Sequence, residues 1–379
     1  MTLDELRVQA AEIIGGLDGF PEPWMRETFL KVPRHAFVPD TVWVWREDAY
    51  RPLHAADEPD TWATLVYDPL HSLVTQVDDG RVGGVGADAR GVLPTSSISA
   101  PNAVFTMLAA ADVRPGMKVL EIGTGTGYNA TLLCERAGEA NVVSVEVDAG
   151  LAEGAVRRLG EAGYLPWVVA GDGECGWADG APYDRVLCTA SLHRVPFAWV
   201  EQTRPGGLIV TPWKTTLQPH GMACLRVSED GGSASGHFGR PMSFMDLRGQ
   251  RRPEFPLKDV YTAESWDESR DSRTDLDLSF LDDNFHARFA LGLRLPGVHA
   301  DWEGDAWWFA TADSWAYVRD GGVQQWGPRD LFAEVEGAYQ WWRAAGQPEL
   351  YEFGLTVTAD QQVAWHADPD RGHQWELPA

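Results

Sequence analysis

Strand-like apolar runs alternate with helical spacing between residues 117 and 212. A first run, VLEIG, is followed by NVVSVEVD, LPWVVA, YDRVLCTA and RPGGLIVTPW, and segments with apolar residues at helical spacing separate these runs. Such alternation is typical of a parallel sheet that is covered by helices. The pattern therefore predicts an α/β fold with a mostly parallel, Rossmann-like sheet.

The flanking residues follow other patterns. Apolar spacing predicts helices over 3–15 and 23–31, and the residues from Gly221 predict two strands around a glycine-rich turn. After Pro241 a polar, acidic stretch leads to one helix that begins at Pro328 and to strand-like segments, namely FHARFALGLRLPG, AWWFATAD, SWAYVRDGGVQQWG and YEFGLTVTADQQVAWH. We expect three regions: an N-terminal helical region with an inserted block (1–95), a central domain (96–240) and a C-terminal α+β accessory domain (241–379).

Tryptophan is concentrated in the C-terminal region, which contains the adjacent pairs Trp307-Trp308 and Trp341-Trp342. Neighbours on a strand point to opposite faces and neighbours on a helix diverge. One member of each pair is therefore expected near the surface or beneath another part of the chain. These aromatic residues predict either the core of this region or a groove for an extended peptide.

The turn after the first strand carries the clearest chemical signal. Its glycines, Gly123, Gly125 and Gly127, have the spacing GxGxG instead of the GxGxxG of dinucleotide-binding proteins. This spacing favours S-adenosylmethionine over NAD. Because that cofactor carries an ammonium group and no phosphate, the acidic Glu121 at the end of the strand is predicted to accept a hydrogen bond from it.

Two further acidic residues follow the next strands. Glu146 ends the second strand about 20 residues after the glycines, where a carboxylate accepts hydrogen bonds from both ribose hydroxyls. Asp172 follows the third strand and is predicted to accept from the adenine amino group. The complete predicted cofactor-binding set is Glu121, Gly123, Thr124, Gly125, Gly127, Tyr128, Glu146, Val147, Gly171, Asp172, Gly173 and Thr189.

Composition excludes several classes of function. The net charge of −25 argues against a nucleic-acid partner, since binding to phosphates depends on clustered Lys and Arg. No segment reaches the roughly 18 to 20 apolar residues of a membrane span, so we expect a cytoplasmic protein without a membrane partner. The four cysteines lie outside any CxxC or Cys/His spacing, and no metal site is predicted.

Several motifs occur in the order of a known family. VPRHAFVP, SSISAPNAVFTML, VLEIGTGTGYNA, GDGECGW, APYDRVLCTA and the Gly206-Gly207 strand resemble those of the protein-L-isoaspartate O-methyltransferases, over roughly residues 3–212. The resemblance implies a class I S-adenosylmethionine-dependent methyltransferase domain with a seven-stranded sheet. It also implies that the ISAP serine lies at the substrate.

Two additional blocks set the chain apart from the repair enzymes of that family. One lies between Asp40 and Thr95, and the other begins near Gly236. Their segments SLVTQVDDG, PTSSISAP and FMDLRGQ resemble the branch associated with graspetide, lanthipeptide and lasso-peptide maturation. This resemblance implies that the substrate is a ribosomally synthesised precursor peptide, macrocyclised before the enzyme esterifies one of its aspartates.

Transfer of a methyl group to a carboxylate needs no general base, because the carboxylate is already ionised at neutral pH. Hydrogen-bond donors that orient it are required, and Ser99 and Ser97 suit this catalytic role. Ser99 has an alternative role as the N-cap of the following helix. The predicted substrate-binding residues are Thr75, Gln76, Ile98, Ala100, Pro101, Asn102, Ser191 and His193.

The methyl ester is itself reactive, since the next backbone nitrogen attacks it and forms an aspartimide with loss of methanol. Three functions remain open. The first is maturation of a precursor peptide, in which the aspartimide is a product. The second is protein-L-isoaspartate(D-aspartate) O-methyltransferase activity in the repair of damaged proteins. The third is a non-catalytic module that binds S-adenosylmethionine or docks a peptide. Since the sheet from Met117 to about Arg240 contains every predicted cofactor element, cofactor binding is not expected to require the residues after Pro241.

Overall fold

A ten-stranded sheet runs through the protein, which a computed structural model describes over residues 1–82, 86, 89–251 and 257–378. The α-helices are α1 (Leu3–Gly16), α2 (Pro23–Lys31), α3 (Pro59–Val66), α4 (Pro101–Ala111), α5 (Tyr128–Ala137), α6 (Ala149–Glu161), α7 (Phe197–Gln202), α8 (Leu257–Val260), α9 (Ala263–Asp267), α10 (Phe280–Asp283), α11 (Phe285–Arg294) and α12 (Leu331–Ala344).

The strands form three sheets. They are β1 (Thr41–Arg46), β2 (Ala49–His54), β3 (Leu73–Val77), β4 (Pro94–Ile98), β5 (Val119–Ile122), β6 (Val142–Glu146), β7 (Trp167–Ala170), β8 (Tyr183–Cys188), β9 (Thr203–Lys214), β10 (His220–Val227), β11 (Ser233–Pro241), β12 (Arg270–Arg273), β13 (His299–Glu303), β14 (Ala306–Ala310), β15 (Trp315–Arg319), β16 (Gly322–Trp326), β17 (Phe353–Thr358), β18 (Gln362–His366) and β19 (His373–Glu376).

The large sheet has the strand order β19-β18-β17-β11-β10-β9-β8-β5-β6-β7. Its five strands from β9 to β7 are parallel, and the other pairings are antiparallel. The predicted α/β class with a parallel core is confirmed. The predicted number of seven strands is wrong, because β17, β18 and β19 extend the sheet at its antiparallel edge.

This extension joins the C-terminal region to the central domain. Strand β17 pairs with β11 along five residues, from Ser233 with Thr358 to His237 with Gly354. The largest hydrophobic core also draws on both regions, since it includes Val186 of β8, Phe289 of α11 and Trp342 of α12. The boundary expected at residue 240 therefore lies within one continuous sheet and one continuous core.

One predicted strand is a helix. The segment FHARFALGLR forms α11, in which Asn284 caps the first turn by accepting a hydrogen bond from the main-chain nitrogen of Ala287 at 3.0 Å. Ala287, Phe289, Ala290, Leu291 and Leu293 are buried, so the helix presents a wide apolar face to the core. Its mostly apolar composition matched a buried strand as well as a buried helix, and the cap distinguishes the two.

Most members of the two tryptophan pairs belong to the hydrophobic core. Trp307 and Trp308 lie on opposite faces of β14, and both are buried because the second face is covered by the residues of α8 and α9. Trp342 is buried as well, and Trp341 packs edge-on against Trp375. Among the described residues, no helix has the length and apolar character needed to cross a membrane.

The N-terminal residues form a second layer beside the parallel strands. Helices α1 and α2 share a core with α4 and α5, and the block between residues 41 and 98 adds a four-stranded sheet with the order β2-β1-β3-β4. Strand β4 leads directly into α4. The inserted block is thereby fixed beside the carboxyl ends of the parallel strands, where ligands bind in open α/β sheets.

Candidate functional site

A cavity of about 560 Å³ opens at the carboxyl ends of the parallel strands. Its walls come from the glycine-rich turn after β5, from the end of β6, from residues 94–100, from the inserted block, and from residues 243–248 with Arg251. Two of these wall segments belong to regions that the sequence analysis placed outside the cofactor-binding domain. The cavity is therefore assembled from all three predicted regions.

The glycine-rich turn has the backbone that its sequence predicts. Gly123, Gly125 and Gly127 have φ values of +94°, +55° and +93°, which residues with a side chain rarely adopt. Gly123, Thr124, Gly125 and Tyr128 line the cavity, whereas Gly127 does not. Gly127 instead caps α5, and a Cβ there would lie 3.2 Å from Leu159 Cγ.

Glu146 is buried in the cavity wall. One carboxylate oxygen accepts a hydrogen bond from the main-chain nitrogen of Gly125 at 2.8 Å, and the other accepts from that of Asp148 at 3.1 Å. Burial raises the pKa of the Glu146 carboxyl, and these two backbone donors oppose the rise. Glu146 thus connects the ends of β5 and β6 and keeps further lone pairs for a ligand.

The predicted adenine-binding turn is only partly in the wall. Gly173 lines the cavity together with Thr189 and Val147. Gly171 and Asp172 do not, and the exposed Asp172 side chain accepts a hydrogen bond from the main-chain nitrogen of Glu174 at 3.0 Å. Asp172 therefore stabilises the turn that places Gly173.

Glu121 lies behind the cavity wall instead of in it. The residue is fully buried, and its carboxyl oxygens accept hydrogen bonds from Asn129 Nδ2 at 2.7 Å and from the Ser144 hydroxyl. Ser144 Oγ lies 2.6 Å from Thr124 Oγ1, so Glu121 acts on the glycine-rich turn through Ser144. Burial raises the pKa of Glu121 to about 7. The prediction that Glu121 contacts the cofactor directly is not supported by this position.

Residues 96–100 form the wall that adjoins the glycine-rich turn. Ser97 and Ser99 both line the cavity, and neither hydroxyl has a hydrogen-bond partner among the described residues. The N-cap of α4 is Ala100, without a side-chain hydrogen bond to the helix. The alternative role of Ser99 as a helix cap is therefore wrong, and its hydroxyl remains available to a ligand.

A fully buried arginine fixes this serine segment. Arg34 Nη1 donates to the main-chain oxygen of Ser99 at 2.8 Å, Nη2 donates to that of Ile98 at 3.3 Å, and Nε donates to that of Val66 at 2.7 Å. Burial lowers the pKa of Arg34 to about 10. No sequence pattern marks Arg34 as a site residue, although it lies within the motif VPRHAFVP.

The remaining predicted substrate residues divide into two groups. Ile98 and Ala100 line the cavity, while Pro101 and Asn102 form the first turn of α4 beside it. Thr75 and Gln76 stand behind the wall, where Thr75 donates to Ser96 Oγ at 3.2 Å and Gln76 Nε2 donates to Asp148 at 3.1 Å.

Ser191 and His193 are outside this cavity. Ser191 is fully buried and exchanges main-chain hydrogen bonds with Met245 and Leu247, at 2.7 and 2.8 Å. His193 lines a separate cavity and lies 3.2 Å, through Nδ1, from the main-chain oxygen of Lys214. The structure therefore does not support their placement at the mouth of the site.

The segment Ser243–Arg251, here called the strap, is the main feature that the site prediction lacked. Its residues from Ser243 to Arg248, with Arg251, line the cavity. Arg251 and Arg248 pair with Asp79 of the inserted block, and Arg248 also lies 3.4 Å from Asp148, two residues after Glu146. The strap contains FMDLRGQ, a motif noted for its resemblance alone. Its place over the cavity depends on ion pairs that spacing does not encode.

Comparison with known proteins is consistent with this geometry. The model of the family described as protein-L-isoaspartate(D-aspartate) O-methyltransferase (PCMT) matches residues 86–239. Similar proteins include protein-L-isoaspartate O-methyltransferase of Ignicoccus hospitalis, 45% identical over 31% of this chain and 56% of that protein, and that of Pyrococcus horikoshii, 34% identical over 50% of this chain and 68% of that protein. The protein-L-isoaspartate O-methyltransferase 1 of Archaeoglobus fulgidus is 38% identical over 50% of this chain and 70% of that protein.

The fold of the whole chain also has a known counterpart. A solved structure of a protein named protein-L-isoaspartate O-methyltransferase aligns with 96% of this chain and 100% of its own, with a TM-score of 0.53 and 19% identity. A similar fold therefore extends over the C-terminal region as well. The chain is 34% and 38% identical to the Pyrococcus and Archaeoglobus proteins and spans two thirds or more of each. It therefore belongs to the protein-L-isoaspartate O-methyltransferase family of S-adenosylmethionine-dependent enzymes.

Proposed function

We propose that this protein transfers the methyl group of S-adenosylmethionine to a side-chain carboxylate of an aspartyl or isoaspartyl residue in a peptide or protein. The observation that carries the proposal is the position of Ser97 and Ser99 in the cavity wall beside the glycine-rich turn. The two walls adjoin, since a Cβ at Gly125 would lie 3.6 Å from the main-chain oxygen of Ser97. A carboxylate bound by these serines would therefore lie beside a cofactor bound at the glycine-rich turn.

The residues on the turn side fit a nucleoside-bearing cofactor. Glu146 offers a buried carboxylate for ribose hydroxyls, and the glycines let a ligand approach the backbone. Two buried polar atoms in the wall, the Tyr128 hydroxyl and Asn129 Oδ1, have no hydrogen-bond partner among the described residues. Unpaired buried groups of this kind indicate a polar ligand. Gly173 and Thr189 would complete its enclosure.

The chain's own contribution to the reaction is orientation. A carboxylate oxygen forms a bond to the methyl carbon while the carbon–sulfur bond breaks, and the electron pair of that bond stays on sulfur. No proton is transferred, so no general base is needed. Ser97 and Ser99 donate hydrogen bonds that hold the carboxylate without protonating it. Arg34 donates to main-chain oxygens and does not line the cavity, so it positions the serine segment without forming an ion pair with the nucleophile.

Isoaspartyl residues are the substrate class that the relatives favour. All of the relatives named above are protein-L-isoaspartate O-methyltransferases, and the family model bears the same description. The C-terminal region is compatible with this assignment, because the solved structure of a protein named protein-L-isoaspartate O-methyltransferase aligns with 96% of this chain. Repair of isoaspartyl damage is therefore the first candidate for the biological role.

Maturation of a ribosomally synthesised precursor peptide is the second candidate. It is favoured by the part of the cavity wall that lies outside the residues matched by the family model, which span 86–239. Tyr50, Leu70, His71 and Ser72 of the inserted block belong to this part, as does the strap. A substrate that contacts these residues would be selected by more than its carboxylate. The aspartimide formed from its methyl ester would then be a product.

Mass spectrometry with matched peptides tests the proposal. An isoaspartyl peptide, its aspartyl counterpart and a macrocyclised precursor would each be incubated with enzyme and S-adenosylmethionine. Gain of one methyl group, followed by loss of methanol, is expected for at least one of them. Preference for isoaspartyl peptides supports the first role, and preference for one aspartate of the precursor supports the second. Absence of methylation in all three, from a folded enzyme that binds S-adenosylmethionine, contradicts the proposed chemistry.

A further inference from the structure

A second cavity, of about 390 Å³, lies on the other side of the strap. It is bounded by the loop after β8, by the end of β9 and the turn after it, by the C-terminal end of α11, and by Gln250 of the strap. Arg194, Lys214, Thr215 and Thr216 supply its hydrogen-bond donors. We propose that this cavity binds a carboxylate group, and that it is a site distinct from the one in which methyl transfer is proposed.

Two buried hydroxyls in this cavity lack a partner. Thr215 and Thr216 are 5% and 6% exposed, and the Oγ1 atom of each is buried with no hydrogen-bond partner among the described residues. Buried hydroxyls in folded proteins are nearly always hydrogen-bonded. Both threonines line the cavity, so rotation about the Cα–Cβ bond would turn each hydroxyl toward a ligand with acceptor oxygens.

The charges in the wall favour a single negative charge on that ligand. Lys214 is nine-tenths buried, and its ammonium group already pairs with Asp246 of the strap. The exposed guanidinium of Arg194 forms no ion pair with any described residue, although its main chain is fixed by Gln250 at 2.8 and 3.1 Å. Glu174, also in the wall, would repel a doubly charged phosphate. One uncommitted arginine and two hydroxyls fit a carboxylate better.

An ion pair links the second cavity to the first. Lys214 lines the second cavity, whereas its partner Asp246 lines the first. Gln250 lies at the same boundary: it lines the second cavity and donates through Nε2 to Glu174 at 3.1 Å, whereas Arg251, the next residue, lines the first. A carboxylate beside Lys214 would compete with Asp246 for its ammonium group.

Binding of simple carboxylates tests the proposal. Ligand-observed NMR would compare acetate, N-acetyl-dialanine with a free carboxylate, the same peptide with a C-terminal amide, and inorganic phosphate. The two carboxylates are expected to bind, and the amide to bind much more weakly. Equal affinity of acetate and the peptide acid would identify a small-molecule carboxylate as the ligand, whereas tighter binding of the peptide acid would identify a peptide C-terminus.

Variants place the binding in the second cavity. Thr216→Val and Arg194→Gln are each expected to weaken carboxylate binding by about tenfold, the factor that a hydrogen bond to a charged group typically contributes. Thr28→Val, at an equally buried threonine of α2 that lines neither cavity, serves as the matched control and should bind normally. Arg194 is exposed, so its variant keeps the test valid if Thr216→Val does not fold.

Three results would overturn the proposal: equal binding of the acid and the amide, unchanged affinity in both variants, or tighter binding of phosphate than of carboxylates. The assignment is separable from the proposed methyl transfer. Loss of carboxylate binding in Ser99→Ala, but not in Arg194→Gln, would show that the probe occupies the first cavity. Methylation of a peptide by Arg194→Gln would persist whichever result is obtained.

Discussion

Arg251 Nη1 lies 2.8 and 3.0 Å from the two carboxylate oxygens of Asp79, and this contact joins the strap to the inserted block. Asp79 has a positive φ of 55°, and its main-chain nitrogen donates to Thr95 Oγ1 at 3.1 Å, which fixes the carboxylate toward the strap. Burial would raise the pKa of Asp79, but its hydrogen bond with Arg251 and the nearby Arg248 bring that pKa below its ordinary value. The inserted block and the strap therefore meet over the cavity at the carboxyl ends of the parallel strands.

Asp79→Asn is expected to weaken S-adenosylmethionine binding by roughly 1 to 2 kcal/mol, because Arg248 and Arg251 would lose the charge that holds them in the wall. Isothermal calorimetry at low and high salt measures this, and the difference between wild type and variant should shrink at high salt. Arg81→Gln is the matched control, since Arg81 also pairs with Asp79 but is largely exposed and does not line the cavity. Equal affinities of wild type and Asp79→Asn would contradict a role of the strap in the cofactor site.

Ser99→Ala is expected to lower turnover by roughly 10- to 100-fold, the effect of losing one hydrogen bond to a charged group. S-adenosylmethionine affinity and the melting temperature should stay near the wild-type values, because Ala100, and not Ser99, is the N-cap of α4. Steady-state kinetics with an accepted peptide, calorimetry and thermal unfolding separate these effects. Wild-type turnover at saturating peptide would remove Ser99 from the site.

Arg34→Lys is expected to destabilise the protein by roughly 2 to 5 kcal/mol, since a lysine cannot reach the three buried carbonyls that the guanidinium satisfies. The ratio of kcat to KM should fall further than S-adenosylmethionine affinity, because Ser99 loses its fixed position. Urea unfolding and kinetics measure the two effects. Arg26→Lys is the control: that arginine pairs with Glu12 at the surface, where the change should cost less than about 1 kcal/mol.

Local sequence patterns were sufficient to predict the parallel core of the sheet and the glycine-rich turn. The positive φ values at Gly123, Gly125 and Gly127 follow from a turn that only glycine accommodates easily, and Glu146 lies where the strand ends. The burial of Glu121 was not foreseen, because spacing gives the distance of a residue along the strand but not its burial. Its carboxyl is occupied by Asn129 and Ser144, and only the packed structure shows that pairing.

Long-range contacts account for the features that local patterns did not reveal. The strap reaches the cavity through Asp79 and Ser191, which are remote from it in sequence, and no local pattern pairs these residues. The expectation that cofactor binding does not need the residues after Pro241 is therefore revised. Truncation there would remove the cavity wall formed by the strap and would expose the edge of β11 that pairs with β17. A chain cut at this point is expected to aggregate.

Gly125→Val is expected to abolish measurable S-adenosylmethionine binding. A β-branched residue at a φ of +55° is strained, and its side chain would project toward Ser97 across the space that a ligand needs. Gly231→Val is the matched control, because Gly231 has a φ of +73° but lies in a turn with open space around it. Both variants should lose stability, by roughly 1 to 3 kcal/mol. Only Gly125→Val should lose binding in calorimetry, and normal affinity in the folded variant would contradict the cofactor assignment.

Glu121→Gln is expected to flatten the dependence of stability on pH. Burial raises the pKa of Glu121 to about 7 from its ordinary value of 4.5. Between these values the folded protein holds a proton that the unfolded chain has lost, so the free energy of unfolding falls as pH rises. The loss is complete above pH 7 and amounts to roughly 3 kcal/mol. Glutamine stays neutral throughout, with its carbonyl accepting from Asn129 and its amide donating to Ser144.

Urea unfolding at pH 5 and pH 8 measures the effect on Glu121→Gln. Wild type should lose more stability than the variant between these values, and the variant should be the more stable protein at pH 8. Glu153→Gln, on the exposed face of α6, is the control and should keep the wild-type difference. S-adenosylmethionine affinity should change by less than about tenfold in Glu121→Gln, or 1.4 kcal/mol, because Glu121 acts on the glycine-rich turn only through Ser144 and Thr124. Complete loss of binding in a folded Glu121→Gln protein would restore the direct contact that the sequence analysis predicted.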